Sequence, residues 1–434
     1  MSTVECCRSE RLHAAYYRIT HDSGLKIIYY PIDRSQTFVN LKVGFGSSDN
    51  RFVKDGETVL LPDGCAHFLE HKMFDCPNGA DGSALLAALG ADSNAYTAET
   101  ETVYMFSCAD NFDKSLKILL EFVNTPHFTE KSLKKEIPII SEEIAMYRDL
   151  PDNKLLYALL RAMYRKSPVR RDVAGSKSSI RKITPEILYS CTDAFYVPSN
   201  MALCVAGKSS PEEIIGVCDC VLGRKYAEPA ERIPEDEPDG VFKKSVTVYD
   251  NVNLPKCAVG IKIGGVPDDP KSRANNRALL RMLCSIMFGR SSDFAESLYS
   301  DGVIASPLSA DTMYQKGFAY LQIAADCRNP NEFSEKVLEY VDKIRRDGID
   351  GADFERCKRA LYGAWIADSD SSEAMSDILL PYAFEGIDPF ENIEYMLGAD
   401  RDDINRFASE ILSKKRISVA ALLPNSEENN SENI

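Results

Sequence analysis

The order of predicted elements runs through the chain twice, and no other feature narrows the fold so far. The run VNLKVGFGSSD from Val39 has a counterpart in VGIKIGGVPDD from Val259, each a β-branched strand ending in glycine and a polar turn. VYMFSCADNFDKSLKILLEFV from Val103 matches AYLQIAADCRNPNEFSEKVLEYV from Ala319, each a strand, a polar turn and a helix with apolar residues at helical spacing. MALCVAGKSS (201–210) and ISVAALLPNS (417–426) each read as a closing strand. The offsets between matches are 216 to 220 residues, and constant order at nearly constant offset is the mark of a duplicated domain. Each copy reads strand, strand, helix, helix, strand, strand, several long helices and a strand. That succession predicts an α+β fold of two homologous halves of roughly 215 residues, each a largely antiparallel sheet with helices packed on one face.

A chain of 434 residues exceeds one ordinary hydrophobic core, which agrees with two domains. The stretch RKYAEPAERIPEDEPDG (224–240) has three prolines, a dense acidic run and no periodicity, so it reads as a linker between residues 1–223 and 241–434. The tail PNSEENNSENI is polar without an apolar anchor and is expected to be disordered. A net charge of −15 without a dense Lys/Arg cluster argues against nucleic acid as a partner. The thirteen cysteines form no CxxC pair and suit free, mostly buried thiols in a reducing compartment. The first residues do not resemble a signal peptide, and no apolar run is long enough to cross a bilayer. A cytoplasmic protein with no membrane partner is expected.

Two of the five histidines fall in CAHFLEHKMF, a run of good helix formers without a breaker. His67 and His71 stand at i and i+4, so a helix projects both imidazoles from one face, within reach of one metal ion. Glu70 lies on the neighbouring stripe, close enough to touch a water on that metal. This is the H-x-x-E-H arrangement found among metalloproteases. Catalytic zinc usually takes three protein ligands and a water. His13, His21 and His127 sit in no motif and read as surface or packing residues, which leaves a carboxylate as the third ligand.

The segment FTEKSLKKEIPIISEEIAMYRDLPDN (128–153) reads as a long helix capped by Thr129. Leu133, Ile137, Ile140 and Ile144 form its apolar stripe, and Glu136 and Glu143 border that stripe two turns apart. Glu142 falls toward solvent with Lys135 and Asp149. Carboxylates beside a core call for a compensating cation. Spacing alone does not separate Glu143 as a ligand from an ordinary helix carboxylate. Pro138 removes a backbone donor between the two glutamates and predicts a kink.

HFLEH, SNAYTAETETVYMF, the 128–153 segment and SPVRRDVAG together resemble the pitrilysin/insulinase family of zinc peptidases, most of all its bacterial YmfF/YmfH-type members. The likeness covers essentially the whole chain, duplication included, and implies the mitochondrial processing peptidase-like metallohydrolase fold. It implies Zn²⁺ held by His67, His71 and Glu143, with Glu136 as a supporting acid and Glu70 as the base that deprotonates a metal-bound water. It further implies that Asn94, Ala95, Tyr96 and Thr97 form a strand that pairs with the substrate backbone; from its position alone Asn94 reads equally as a turn residue. The implied activity is a zinc endopeptidase or peptide-processing enzyme enclosing short peptides in a chamber. The implied partner is a second copy or an inactive homologue. A non-catalytic assembly or scaffold subunit is the alternative.

The second half departs from the first. No histidine follows His127, and aligning the two MF pairs places Arg281, Cys284 and Ser285 where His67, Glu70 and His71 stand, with Ala364 opposite Glu143. Family members carry an arginine and a tyrosine, seven residues apart, that contact substrate from this half. Here Tyr299 takes the arginine's place and no tyrosine matches. The second half therefore reads as a degenerate copy that encloses substrate.

Overall fold

The computed structural model describes residues 2–223 and 226–425. The expected disorder of the tail falls almost wholly on residues outside that range. The chain opens with four strands, β1 (Thr3–Ser9), β2 (Ala14–Thr20), β3 (Lys26–Pro31) and β4 (Thr37–Val43). A hairpin of β5 (Arg51–Lys54) and β6 (Glu57–Leu60) precedes helices α1 (Cys65–Met73) and α2 (Gly82–Ala87). Strands β7 (Asp92–Thr97) and β8 (Thr102–Cys108) lead into α3 (Phe112–Asn124), α4 (Glu130–Asp149), α5 (Pro151–Met163) and α6 (Pro185–Phe195). Strand β9 (Met201–Gly207), α7 (Pro211–Val221) and the short β10 (Glu231–Arg232) complete this half.

The second half repeats the plan. It runs β11 (Ser245–Asp250), β12 (Lys256–Ile263), α8 (Pro270–Phe288), α9 (Asp293–Ser300), β13 (Ser309–Gln315) and β14 (Phe318–Asp326). Five helices follow: α10 (Pro330–Asp347), α11 (Gly351–Asp368), α12 (Ser372–Glu385), α13 (Pro389–Gly398) and α14 (Arg401–Ile411). Strand β15 (Ile417–Pro424) closes the half.

Five strands of the first sheet share the topology of the second, and β1 and β2 extend the first. The first has the order β1-β2-β3-β9-β4-β8-β7 and the second β11-β15-β12-β14-β13. Their one parallel pairing is β3 with β9 in the first and β11 with β15 in the second. Val39 pairs with Phe106 and Val205, and its counterpart Val259 pairs with Ile323 and Val419. The register thus repeats along with the element order.

The compact units differ from the sequence halves. One comprises Met1–Ile144, Asp172–Pro234 and Ala364–Glu391; the other comprises Ala145–Arg171, Glu235–Gly363 and Asn392–Ile434. The cause is an exchange of helices. In the first unit α12, from the second half of the sequence, packs on β3, β4 and β9. In the second unit α5, from the first half, packs on β11, β12 and β15. Both lie on the sheet face opposite the main helical layer, because they meet the alternate residues of each strand. In β4, Val39, Leu41 and Val43 belong to the helical core, while Asn40 bonds to Asp377 of α12 at 2.7 Å. Gly260 of β12 permits the matching approach, since a Cβ there would stand 2.6 Å from Met163 Sδ.

The acidic segment 224–240 is tied down where it is described. Glu231 and Arg232 pair with β5, and Arg232 Nε donates to Asp49 at 2.6 Å. In the other unit Glu237 accepts the backbone N–H groups of Arg165, Lys166 and Ser167 and the ammonium of buried Lys262. Ten of the thirteen cysteines are buried. Among the described residues no helix is long and apolar enough to cross a membrane.

Candidate metal centre

Helix α1 begins at Gly64, whose φ of 86° only glycine adopts without strain and whose Cβ would meet the carbonyl oxygen of Ala174 at 2.4 Å. From there α1 runs almost wholly buried, with Phe68, Leu69 and Met73 in the core. One turn of helix separates His67 from His71, and their rings stand edge to face with centroids 4.8 Å apart. Helix α4 faces them. Thr129 Oγ1 accepts from Ser132 N at 3.1 Å, as expected of a cap. Leu133, Ile140 and Ile144 are buried, with Ile137 half-buried beside them. The helix continues unbroken through Pro138, which lies on its exposed side.

This packing sets the two bordering glutamates against the histidines. Glu143 Oε1 is 3.5 Å from His67 Nε2, and Glu143 Oε2 is 3.3 Å from His71 Nε2. Glu136 Oε1 is 3.2 Å from His71 Nδ1, behind the ring. Glu142 is exposed. One ligand atom from each of His67, His71 and Glu143 lies within 4.8 Å of the others. The Glu143 carboxylate spans the two Nε2 atoms at 3.3 and 3.5 Å, one oxygen to each, and two imidazoles with a carboxylate form a zinc-type donor set.

Charge is arranged to match. Hydrogen bonds with His67 and His71 hold the Glu143 carboxyl well below its usual range, against the opposing effect of burial. Burial lowers the proton affinity of His71, but hydrogen bonds to Glu136 and Glu143 outweigh it and push its pKa up to about 9. The hydrogen bond with His71 lowers Glu136, as does Lys72 against burial. Lys72 was not singled out in the sequence. It is buried, donating to Glu136 Oε2 at 3.1 Å and pairing with Asp75 Oδ2 at 2.7 Å. Its partners are Asp75, just past the end of α1, and Glu136 of α4, the latter a contact that only folding brings about.

Glu70 is buried beside this cluster, and burial pushes its pKa up. Thr97 Oγ1 donates to Glu70 Oε2 at 2.5 Å and thereby pulls the other way. Thr97 ends β7, the last strand of its sheet, whose one neighbour is β8. A groove of about 300 Å³ runs here, lined by Glu70, His71, Ser93, Asn94, Ala95 and Glu136 among others. The four strand residues separate by alternation. Thr97 faces α1, whereas Tyr96 points away, its phenol held well above its usual range by burial and by Glu101 and Asp377. Asn94 Oδ1 accepts from Ala95 N at 2.9 Å. The remaining histidines stay apart: His21 is buried between Ser23 and Asp219. Tyr299, in the other unit, is exposed on α9.

The family model for insulinase, peptidase family M16, matches residues 57–177, and the model for the peptidase M16 inactive domain matches residues 182–361. The chain is 34% identical over 426 residues to YmfH, an uncharacterized zinc protease of Bacillus subtilis, covering 96% of this chain and 98% of that one. It belongs to the insulinase family, M16. An uncharacterized zinc protease of Mycobacterium leprae is 25% identical over 93% of this chain and 90% of its own. A solved structure described as an M16-like peptidase from Alicyclobacillus acidocaldarius superposes with a TM-score of 0.88 at 30% identity, over 98% of this chain and 99% of that one. A Pseudomonas fluorescens structure described as a peptidase M16 inactive domain has a TM-score of 0.79 at 15% identity, over 98% of each chain, and speaks for the fold alone.

Proposed function

We propose that this protein is a zinc-dependent endopeptidase that hydrolyses peptide bonds in short peptides. His67, His71 and Glu143 hold the zinc, and Glu70 is the base. The reading is carried by one observation: three zinc-type donor atoms, two from α1 and one from α4, lie within 4.8 Å of one another beside Glu70, a buried carboxylate on the helix of the two histidines. A zinc ion held there would supply an acidified water and polarisation of the peptide carbonyl. Glu70 would accept a proton from the attacking water and return it to the leaving amine. Glu136, braced by Lys72, fixes the His71 ring by accepting from Nδ1, the usual device for orienting a metal-bound imidazole. The open edge of β7, which includes Asn94, Ala95 and Tyr96, offers the main-chain groups of alternate residues to an extended peptide, which favours broad sequence tolerance.

Enclosure of the peptide by the second half, pairing with a second copy or an inactive homologue, and a cytoplasmic location rest on the resemblance and on the cysteine usage. The test is digestion of a mixed peptide library by purified protein with and without a chelator. Cleavage that stops on chelation and returns with zinc is expected. A library left intact by zinc-loaded protein favours the non-catalytic alternative.

A further inference from the structure

Thr97 is read from the sequence as part of the strand that takes the peptide, yet its side chain lies on the base. The hydroxyl has a single proton to give, and two acceptors are in range. Glu70 Oε2 is at 2.5 Å and Thr102 Oγ1 at 3.4 Å. Thr102 donates its own proton to the carbonyl of Phe45 at 2.9 Å, so it offers Thr97 no hydrogen. The shorter, charge-assisted bond to the carboxylate takes the Thr97 proton. One oxygen of Glu70 is thereby pinned, leaving Oε1 to act. Because Thr97 closes the strand whose free edge is the proposed peptide site, one element fixes both the peptide register and the direction of the base.

We propose that Thr97 is a positioning residue for Glu70, locking the carboxylate in register with a peptide docked on β7, and that it makes no contact with the peptide itself. The proposal rests on the reading of Glu70 as the base. A base displaced by about 1 Å loses up to about a hundredfold in rate. Thr97→Val keeps the shape and removes the donor, and Thr97→Ser restores it. The experiment measures kcat, KM and zinc per chain for both variants on a fluorogenic peptide cleaved by the wild type. It also measures the affinity of that peptide for Glu70→Gln with and without Thr97→Val.

We expect Thr97→Val to lower kcat about ten- to a hundredfold, with KM within about twofold and zinc unchanged. Thr97→Ser should recover most of the rate, and the two Glu70→Gln proteins should bind the peptide equally. Wild-type kcat in Thr97→Val overturns the proposal. So does a loss of peptide affinity in the Glu70→Gln background, which returns Thr97 to substrate contact, or a loss of zinc, which makes it merely structural. Thr97→Ala gives the same reading should the valine variant fail to fold. Full turnover by Glu70→Gln alone defeats the base assignment and this proposal with it, whereas a dead Glu70→Gln beside a fully active Thr97→Val defeats only the role of Thr97.

Discussion

Helices α1 and α8 hold corresponding places in the chain, α1 between β4 and β7 after the β5–β6 hairpin and α8 between β12 and β13, and the five strands β3-β9-β4-β8-β7 repeat the order β11-β15-β12-β14-β13. Only α1 carries the proposed histidine ligands and the proposed base. Where it presents His67, Glu70 and His71, the aligned positions of α8 are an exposed Arg281, a buried Cys284 and a half-buried Ser285. Burial pushes the Cys284 thiol up to about 12, so it offers neither a base nor a thiolate near neutral pH. The third ligand position differs likewise: α4 brings Glu143 against the histidines, and the residue aligned with it in sequence is Ala364, which has no metal-ligating atom. Topology and register alone therefore do not make a site. On the proposed reading a handful of side chains on one copy of the fold does, and the other copy is free to keep only its packing.

The comparison breaks most sharply on the base. Glu70→Gln preserves shape but cannot accept a proton, so peptide turnover should fall on the order of 10²–10⁴-fold with zinc retained. Cys284→Ala, at the equivalent place in the second unit, should leave turnover unchanged. Peptidase assays on the two variants check this, and equal losses would contradict the assignment of all chemistry to α1.

A smaller effect sharpens the comparison through pH. In metal-free protein His71 has its pKa raised from 6.5 to about 9, so its stabilising contribution is fully present below 6.5 and is lost as pH rises through about 9. Glu143 is shifted the other way from 4.5, so its contribution is present above that value and is lost as pH falls toward its depressed pKa. The melting temperature of chelated protein should therefore decline between pH 6.5 and 9, and His71→Ala should flatten that decline. Zinc should remove it from the wild type as well, since a bound imidazole is neutral throughout.

What could be read in advance follows from the range of each signal. The repeated element order is legible because strand and helix periodicities are local, and so is the i, i+4 pair of histidines on α1. Glu143 lies far along the chain, and its assignment as a ligand came from resemblance rather than spacing. The exchange of α5 and α12 is not legible. An amphipathic pattern says that a helix has a partner, not which sheet that partner is. For the same reason no local signal marks the burial of Asn40 and Lys42 of β4, Asn40 against Asp377 and Lys42 against Glu101 and Phe384. The hydroxyl of Thr97 and the carboxylate of Glu70 meet only through folding, so strand membership pointed to the peptide instead.

The central claim is that the first copy of the fold holds one zinc and the second holds none, and metal stoichiometry tests it most directly. Full-length wild type, His71→Ala and Glu143→Gln would be stripped with chelator, reloaded with zinc, freed of excess metal and assayed by elemental analysis. The account predicts about one zinc per chain for the wild type and a large loss of zinc in both variants. Full zinc retention in either variant, or a second tightly held zinc in the wild type, would contradict it.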